Sequence, residues 1–505
     1  MTTTTLSTAP ASEDGGDSVR IQDFVESLLP ESGLRIGGAR TESSDGKLFA
    51  VLDPATEKEI ARISDGTVAD ALRAVEAAAA AGPGWAATAP RTRSDVLRRA
   101  FELMVERADV LAALISLENG KALPDARGEV LYAAEFFRWY SEEAVRSDGN
   151  FGEAPAGGVR NIVTHHPVGV SLLVTPWNFP AAMAARKIGP ALAAGCTVVL
   201  KPASDTPLTA LAIVDILAEA GAPAGTVNYV PGRASGEIVE ACLKDERVRK
   251  LSFTGSTPVG RALLRQAAER VVNCSMELGG NAPFVLLPGS DIDGAIGAAV
   301  ISKFRNAGQS CVGTNRFYVH DSLHDEFVAK FTQAVSALTV GPATDPRNTI
   351  GPLVSDRARQ GIAALVERAV DNGASIAYQA STPDVGFYYP PTVLTDVQPG
   401  AEIVTEEIFG PVAPIVRWSS EDEVIARVNG LEMGLAAYVY GADTGQALRF
   451  AERIDAGMVG INRGIVSDPS APFGGTKQSG LGREGAREGL REFQETQYFS
   501  VDWSS

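Results

Sequence analysis

Between Pro167 and residue 269, short β-rich runs alternate with runs of helical spacing. The β-rich runs are VGVSLLV, CTVVL, TVNYV and VRKLSF, and each is followed by an apolar pattern with the period of a helix. Strands that alternate with helices form parallel βαβ units, which bind ligands at the carboxyl ends of their strands. This stretch therefore predicts a Rossmann-like α/β domain.

A second α/β stretch begins near Asn281 with APFVLL and RFYVH, continues through a helix predicted from Leu323 to Leu338, and ends with APIVRW, AAYVYG and GMVGIN. Upstream, residues 66–147 contain three stretches of amphipathic helical spacing. The fold class predicted is α/β, with two Rossmann-like domains and a small β arm. The predicted boundaries are a disordered tail at 1–20, a first domain at 21–147 and 168–279, a second domain at 280–477, and bridging strands at 148–167 and 478–505.

The charge balance excludes several classes of partner. The 505 residues include 45 Lys and Arg against 62 Asp and Glu, a net charge of −17 that repels nucleic acids and anionic membranes. No apolar run is predicted to span a bilayer, and the N-terminus resembles neither a secretory nor a transit peptide. Four cysteines without a C-x-x-C pair favour a cytoplasmic protein, and four histidines without acidic or Cys companions predict no metal site.

The segment FTGSTPVG is the best candidate for a nucleotide site. Thr254, Gly255 and Ser256 follow a predicted strand and precede a helix that contains Gly260. Unpaired amides at a helix N-terminus attract phosphate, and glycines allow it to approach closely. An ordinary βα turn is the alternative. A literal G-x-G-x-x-G at residues 480–485 lacks a preceding strand and a following helix, so it does not predict a dinucleotide site.

The crossover VVLKPASDTPL places Lys201 just past a strand and Ser204 before the next helix. From this position Lys201 can reach a ribose or a phosphate. Ser204 has the alternative role of an N-cap, which is common for a serine before a helix.

Cys311, in the Gly/Ser-rich segment FRNAGQSCVGTNR, is the best candidate for a nucleophile. Cys196 and Cys242 lie in apolar segments and indicate buried core, whereas Cys274, at the start of a strand, is the rival candidate. A thiol is mostly protonated at pH 7, so a nucleophilic Cys311 needs a base or a lowered pKa.

Two polar residues are candidates to support this nucleophile. Glu277, in MELGGN, ends an apolar strand and is a candidate base, with a solvated strand-end carboxylate as the alternative. Asn178, in VTPWNFP, follows the strand VGVSLLV, where its amide could donate to a developing oxyanion. A simple turn residue is the alternative for Asn178.

Seven ordered motifs resemble those of the aldehyde dehydrogenases. They are TPWNFP (175–180), KPAS (201–204), FTGS (253–256), ELGG (277–280), GQSC (308–311), EEIFGPV (406–412) and PFGGTKQSG (472–480). The similarity runs from about Leu34 to the C-terminus. It implies that the first domain binds a cofactor, that the second provides the catalytic nucleophile, and that the bridging segments hold together a homodimer or homotetramer.

The resemblance also implies roles for individual residues. Cys311 attacks an aldehyde, Asn178 and the Cys311 amide bind the oxyanion, and Glu277 activates the water that releases a carboxylic acid. A nicotinamide cofactor accepts the hydride, and Glu407 binds its ribose. The implied cofactor-binding set is Trp177, Lys201, Ser204, Thr254, Gly255, Ser256, Gly260, Glu407 and Phe409.

Within this family the segments WNFPAAMAARKIGPALAAGCTVVLKPAS, SKFRNAGQSC and GINRGIVSDPSAPFGG are most similar to succinate-semialdehyde dehydrogenases. That similarity implies that Arg186, Arg305 and Ser467 bind the second carboxylate of the substrate, a task that suits guanidinium groups. An arginine paired with local acids is the alternative. Glutarate semialdehyde is the second candidate substrate, because one methylene changes the binding free energy in a pocket by only about 1–3 kcal/mol. Glu277 argues against a CoA-acylating enzyme.

Three positions depart from common family patterns or decide the cofactor. Ser204 stands where NAD-preferring relatives have an acidic ribose ligand, and with Lys201 it favours the 2′-phosphate of NADP, with NAD as the alternative. Gly313 stands where many relatives have a second Cys, which argues against a redox disulfide. Arg463 replaces a Thr or Glu, which leaves the breadth of substrates open.

Overall fold

The computed structural model describes residues 33–146 and 148–503, and the predicted tail at residues 1–20 lies outside these ranges. None of the helices within them is long and apolar enough to cross a membrane.

The secondary structure of the described residues alternates between strands and helices over most of its length. The strands are Leu34–Ile36 (β1), Ala39–Thr41 (β2), Leu48–Asp53 (β3), Lys58–Ser64 (β4), Asn150–Glu153 (β5), Val159–Pro167 (β6), Val170–Val174 (β7), Thr197–Lys201 (β8), Val227–Tyr229 (β9), Val248–Thr254 (β10), Asn273–Glu277 (β11), Ala282–Leu286 (β12), Thr314–His320 (β13), Ser375–Gln379 (β14), Thr392–Thr395 (β15), Val412–Trp418 (β16), Met433–Gly434 (β17), Ala436–Tyr440 (β18), Met458–Ile461 (β19), Thr476–Lys477 (β20), Gly480–Leu481 (β21) and Gln494–Asp502 (β22). The α-helices are Val68–Ala87 (α1), Pro90–Glu106 (α2), Ala108–Asn119 (α3), Leu123–Ala144 (α4), Pro180–Ala194 (α5), Pro207–Glu219 (α6), Ser235–Lys244 (α7), Thr257–Ala268 (α8), Ile292–Phe304 (α9), His324–Ser336 (α10), Asp356–Asp371 (α11), Glu402–Thr405 (α12), Glu421–Asn429 (α13), Thr444–Ala451 (α14) and Ala486–Arg491 (α15).

The first sheet has the strand order β2-β1-β9-β8-β7-β10-β11-β21. Strands β9, β8, β7, β10 and β11 are parallel, and the apolar run of β7 is buried on both faces, as a parallel sheet covered by helices requires. The chain proceeds from β7 to β8 and β9 on one side, and returns to β10 and β11 on the other. The carboxyl ends of β7 and β10 therefore flank the switch point where open α/β sheets bind ligands.

The second sheet has the order β14-β15-β16-β13-β12-β18-β19, and all its pairs except β14 with β15 are parallel. At its centre the Phe284 ring lies 5.5 Å from Phe317 and 6.2 Å from Tyr438, measured between ring centroids. The prediction of a second α/β unit is confirmed by this sheet.

The two segments expected to bridge domains or subunits pair with each other as strands. Strands β22, β6 and β5 form an antiparallel sheet in which β22 lies beside β6 along its whole length. Large apolar side chains of this sheet and its C-terminal edge are exposed, namely Phe151, Tyr498 and Trp503. Their role in an interface remains a prediction.

The C-terminal segment also completes the first sheet. Gly480–Leu481 runs antiparallel to Met276–Glu277 at the sheet edge, and α15 packs against α4 and α5. The prediction that no helix follows the G-x-G-x-x-G segment is wrong, because α15 begins at Ala486 directly after it. The segment begins with an edge strand beside Glu277, two strands from β10.

The helical region before the first sheet differs from its prediction. The second of the three expected stretches is broken at Arg107 (φ −102°, ψ 18°), so that α2 and α3 are separate helices. Leu103 near the end of α2 and Leu111 in α3 both enter the same core.

We expect Gly480→Ala to destabilise the protein by about 1–3 kcal/mol, because Gly480 has φ +150° and a Cβ there would collide with the carbonyl oxygen of Met276. The measurement is thermal and urea denaturation. Gly361→Ala is the control, since Gly361 lies in α11 with open space around it and alanine there should be neutral or slightly stabilising. Equal stability of both variants would contradict the expected collision.

Candidate active site

Cys311 lies in a loop between α9 and β13 whose backbone is left-handed over three successive residues. The φ angles of Asn306, Ala307 and Gly308 are +54°, +51° and +75°. Non-glycine residues in this conformation cost about 1–3 kcal/mol each and persist only where the surroundings hold them. At Gly308 a side chain would collide with the carbonyl of Gly410, so the loop approaches the second sheet closely.

Hydrogen bonds from distant segments hold this loop. The Asn306 amide donates to Oδ2 of Asp125 at 2.8 Å, and Nδ2 of Asn306 donates to the carbonyl of Asn178 at 2.9 Å. The amide of Val354 donates to Oε1 of Gln309 at 3.0 Å. Because Asp125 and Asn178 precede the nucleophile by more than a hundred residues and Val354 follows it, both halves of the chain position Cys311.

Cys311 opens into a cavity of about 280 Å³. Arg186, Arg305 and Ser467 line the same cavity, so the three residues expected to bind substrate share one chamber with the expected nucleophile. The other lining residues are Pro124, Asp125, Gly128, Glu129, Tyr132, Phe179, Met183, Ser310, Val312, Ile465 and Phe473. The chamber therefore joins one thiol to two guanidinium groups.

The two guanidinium groups are held differently. Arg186, within α5, is 1% exposed, forms an ion pair with Glu484 and lies 4.1 Å above the ring of Phe473. Arg305 lies 5.2 Å above the ring of Phe179 and has no ion pair with any residue of the described ranges. The charge of Arg305 is thus available to an anion in the cavity.

Burial raises the pKa of both the thiol and the candidate base. Burial raises the pKa of Cys311 to about 12, although the positive charge of Arg186 opposes that increase. Burial, reinforced by the negative charge of Glu484, raises the pKa of Glu277 well above its usual value. Taking a charged group out of water favours its neutral form, which explains both directions.

Glu277 and Asn178 lie beside the cavity and do not form its wall. Glu277 ends β11, is 2% exposed, and interacts electrostatically with Cys311 and Arg186. Its Oε2 atom has no hydrogen-bond partner among the described residues. Asn178 follows β7 and donates from Nδ2 to the carbonyl of Gln309 at 3.4 Å, which leaves its second N–H for another acceptor.

The turn after β10 has the features expected of a phosphate site. Ser256 is the N-cap of α8 and forms no side-chain cap, so the first amides of the helix are open. The Thr254 hydroxyl is buried and without a partner in the described part of the chain. Gly255 precedes Ser256 at the turn, and at Gly260 a side chain would collide with Leu278. The helix N-terminus can therefore be approached by a ligand.

Three of the expected cofactor residues, Trp177, Glu407 and Phe409, make contacts between segments that are distant in the sequence. The rings of Trp177 and Phe409 pack edge to face with centroids 5.4 Å apart. Glu407 accepts a hydrogen bond from the Gly280 amide at 3.2 Å. Burial raises the pKa of the Glu407 carboxyl to about 7, although the hydrogen bond from the Gly280 amide opposes that increase.

Lys201 is the last residue of β8, the strand next to β7, and Ser204 lies in the loop that follows. Lys201 is 2% exposed and donates to the carbonyl of Pro202 at 2.7 Å, and burial lowers its pKa to about 8. Ser204 donates to the carbonyl of Gly232 at 3.1 Å. The N-cap of α6 is Thr206, so the interpretation of Ser204 as an N-cap is wrong. Their roles as cofactor ligands remain predictions.

Sequence analysis missed one wall of the cavity, which α4 provides through Asp125, Glu129 and Tyr132. These residues are spaced i, i+4 and i+7, so they share a helix face, and that spacing was the available signal. It also missed Glu484, whose sequence position gives no sign that it pairs with Arg186. In residues 33–146 and 148–503 no group of three His, Cys, Asp or Glu side chains could hold a metal ion.

Comparison with known proteins decides the family. Residues 40–499 match the model of the aldehyde dehydrogenase family. The chain belongs to this family. The resemblance seen in the seven motifs is thereby confirmed, and most of the chain takes part in the match.

Named relatives are similar over nearly their whole length. A succinate-semialdehyde dehydrogenase of Paenarthrobacter nicotinovorans is 51% identical over 88% of this chain and 98% of the relative. A glutarate-semialdehyde dehydrogenase of Pseudomonas putida is 45% identical, and an NADP(+) succinate-semialdehyde dehydrogenase of Escherichia coli is 44% identical, each over 92% of this chain and 97% of the relative.

The fold prediction is confirmed by solved structures. The crystal structure of a succinate-semialdehyde dehydrogenase from Burkholderia pseudomallei is 44% identical and superposes with a TM-score of 0.92, covering 94% of this chain and 98% of that one. The two parallel sheets are therefore the α/β architecture of this family of enzymes.

We expect alkylation of Cys311 by iodoacetamide to accelerate about tenfold per pH unit between pH 7 and pH 9. The thiolate is the reactive form, and a pKa near 12 keeps it scarce across this range, so its fraction grows with each unit. Peptide mass spectrometry measures the rate at Cys311, and Cys311→Ser measures the background from the half-buried Cys274. A rate that is constant above pH 8 would show a preformed thiolate.

Proposed function

We propose that this aldehyde dehydrogenase oxidises succinate semialdehyde to succinate, with NADP as the hydride acceptor. The cavity that joins Cys311 to Arg186 and Arg305 is the observation on which the proposal rests. The thiol suits an aldehyde, and the two guanidinium groups suit a carboxylate. The similarity to relatives named for this substrate in Paenarthrobacter nicotinovorans and Escherichia coli supports the same chemistry.

The first bond forms between the Cys311 sulfur and the carbonyl carbon of the substrate. The carbonyl oxygen becomes an oxyanion, and the Asn178 side chain and the Cys311 amide are its proposed donors. Because the resting thiol is protonated, its proton leaves to solvent during attack, and Glu277 is the proposed base of the later hydrolysis step. A carboxylate with a raised pKa is the stronger base, which suits Glu277 to this role once it is ionised.

The second half of the reaction releases the product. A bound nicotinamide cofactor would supply the acceptor for the hydride that the carbonyl carbon loses, which would leave a thioester on Cys311. Glu277 takes a proton from water, whose oxygen attacks the thioester carbon, and the carbon–sulfur bond breaks. The aldehyde, one water and NADP(+) are converted to the carboxylate, NADPH and two protons.

The carboxyl edge of the first sheet fits a dinucleotide. We assign the pyrophosphate to the open N-terminus of α8, the nicotinamide ribose to Glu407, and the nicotinamide to the crevice beside Trp177 and Phe409. Lys201 and Ser204 are the proposed ligands of the 2′-phosphate, with NAD as the alternative cofactor. The NADP(+) enzyme of Escherichia coli supports this choice. The full proposed set is Trp177, Lys201, Ser204, Thr254, Gly255, Ser256, Gly260, Glu407 and Phe409.

Glutarate semialdehyde is the second candidate substrate. The Pseudomonas putida relative named for it is 45% identical. One additional methylene costs or gains only about 1–3 kcal/mol in a pocket, so the same two guanidinium groups accommodate either chain length. A CoA-acylating reaction fits less well, because the buried Glu277 supplies a base for hydrolysis.

We also propose the organisation that the resemblance implies. The cofactor-binding domain comprises residues 21–147 and 168–279, the catalytic domain 280–477, and the segments 148–167 and 478–505 join subunits of a homodimer or homotetramer. The exposed aromatic side chains of the three-stranded sheet support such an interface. The four free cysteines support a reducing cytoplasm.

We expect Arg305→Ala to lower kcat/KM for succinate semialdehyde about 10- to 100-fold, while kcat/KM for butanal changes little. Loss of a charge-assisted contact with the substrate carboxylate costs about 1.5–3 kcal/mol of transition-state stabilisation. Butanal has no carboxylate and therefore makes no such contact with Arg305. The measurement follows NADPH or NADH formation with each cofactor, and a higher kcat/KM with NADP is expected.

Arg357→Ala is the matched control for this experiment, since Arg357 is exposed on α11 and does not line the cavity. It should leave both substrates unaffected. Equal rates for the two aldehydes in the wild-type enzyme would reduce the proposal to a general aldehyde dehydrogenase.

We expect Glu277→Gln to retain a rapid burst of NADPH and to slow steady turnover by about 100-fold or more. In this variant the thioester still forms on Cys311, but it accumulates because no base is left to activate the water that hydrolyses it. Rapid-mixing measurement of NADPH absorbance follows the burst. Loss of the burst together with turnover would mean that Glu277 is required before hydride transfer.

A further inference from the structure

One face of α4 forms a wall of the substrate cavity. Asp125, Glu129 and Tyr132 line the cavity from this face, and Gly128 lies between them. Asp125 also accepts the hydrogen bond that holds the nucleophile loop at Asn306. Tyr132 lies two turns further along the same helix.

The Tyr132 hydroxyl is buried and has no hydrogen-bond partner among the described residues. It faces Arg186 and Ser467, and it also interacts electrostatically with Arg305. The ring is fixed by edge-to-face packing on Phe136, with centroids 5.0 Å apart. The hydroxyl is therefore aimed at the group of residues proposed to bind the substrate carboxylate.

The chemistry of this group leaves the hydroxyl in need of an acceptor. A guanidinium has five N–H donors and no acceptor, so neither Arg186 nor Arg305 can accept the Tyr132 proton. The Ser467 hydroxyl could accept it, but the structure contains no hydrogen bond from Tyr132 to Ser467. An unsatisfied buried hydroxyl costs free energy, and a carboxylate oxygen is the acceptor that would satisfy it beside two positive charges. The part of the cavity around Arg186, Arg305, Ser467 and Tyr132 is thus rich in donors and suited to an anion.

We propose that the Tyr132 hydroxyl donates a hydrogen bond to the distal carboxylate of the substrate, and that Tyr132 is a specificity-determining residue beside Arg186, Arg305 and Ser467. This inference rests on the proposed function, because it requires a substrate with an acidic group at that end. The hydroxyl serves recognition and does not take part in bond making at Cys311.

Tyr132→Phe removes only the hydroxyl and tests the contact. We expect kcat/KM for succinate semialdehyde to fall about tenfold or more, chiefly through a higher KM, because the contact is the same in the bound substrate and the transition state. For butanal, kcat/KM should remain unchanged. The split between the two substrates distinguishes a carboxylate contact from a general structural effect.

A second measurement does not depend on turnover. Without ligand, Tyr132→Phe should melt at the wild-type temperature or slightly above it, because the hydroxyl it removes has no partner. Succinate, used as the probe, should raise the melting temperature of the wild-type enzyme more than that of Tyr132→Phe. Tyr388→Phe is the matched control, since Tyr388 also has a buried, unpartnered hydroxyl but lies outside the cavity.

Two outcomes would overturn the inference: equal losses for succinate semialdehyde and butanal, or no loss for either together with unchanged stabilisation by succinate. Failure of the proposed function has a different signature. In that case wild-type enzyme would not prefer succinate semialdehyde to butanal. Stabilisation by succinate that is weakened in Tyr132→Phe would still support the contact with a carboxylate.

Discussion

The site depends on the left-handed loop that precedes Cys311. Asn306 and Ala307 adopt a conformation that an isolated chain avoids, and the loop stays in it because Asp125, Asn178 and Val354 hydrogen-bond to it from three separate segments. Asp125 and Asn178 lie on helices and turns of the first sheet, and Val354 belongs to the second half. The relative position of the two halves therefore sets the position of the nucleophile.

Burial at this junction also sets the charge state of the site. The pKa of Cys311 rises to about 12, so the cavity offers a neutral thiol beside positive guanidinium groups, and the pKa of Glu277 next to the cavity rises as well. Such a site is attractive to an anionic substrate before any chemistry begins. Glu484 limits this attraction by pairing with Arg186, whereas Arg305 retains its charge for the cavity.

Local patterns predicted most of the fold and the motif residues, but not the contacts between distant segments. The βα alternation predicted both parallel sheets, and short motifs located Cys311, Arg186 and Arg305, which the structure brings to one cavity. Nothing in the sequence near Gly480 indicates that it pairs with Glu277 in β11, or that Glu484 pairs with Arg186. Both contacts depend on how the C-terminus returns to the first sheet, and local periodicity does not contain that information.

Helix α4 connects reactivity to recognition. Asp125 near its start accepts the amide of Asn306 and so holds the nucleophile loop, while Tyr132 two turns later faces the guanidinium groups. Since one rigid helix carries both residues, it links the position of the nucleophile loop to that of the Tyr132 hydroxyl. A loop that moved independently of α4 would break this link between the reactive thiol and the groups that face an anion.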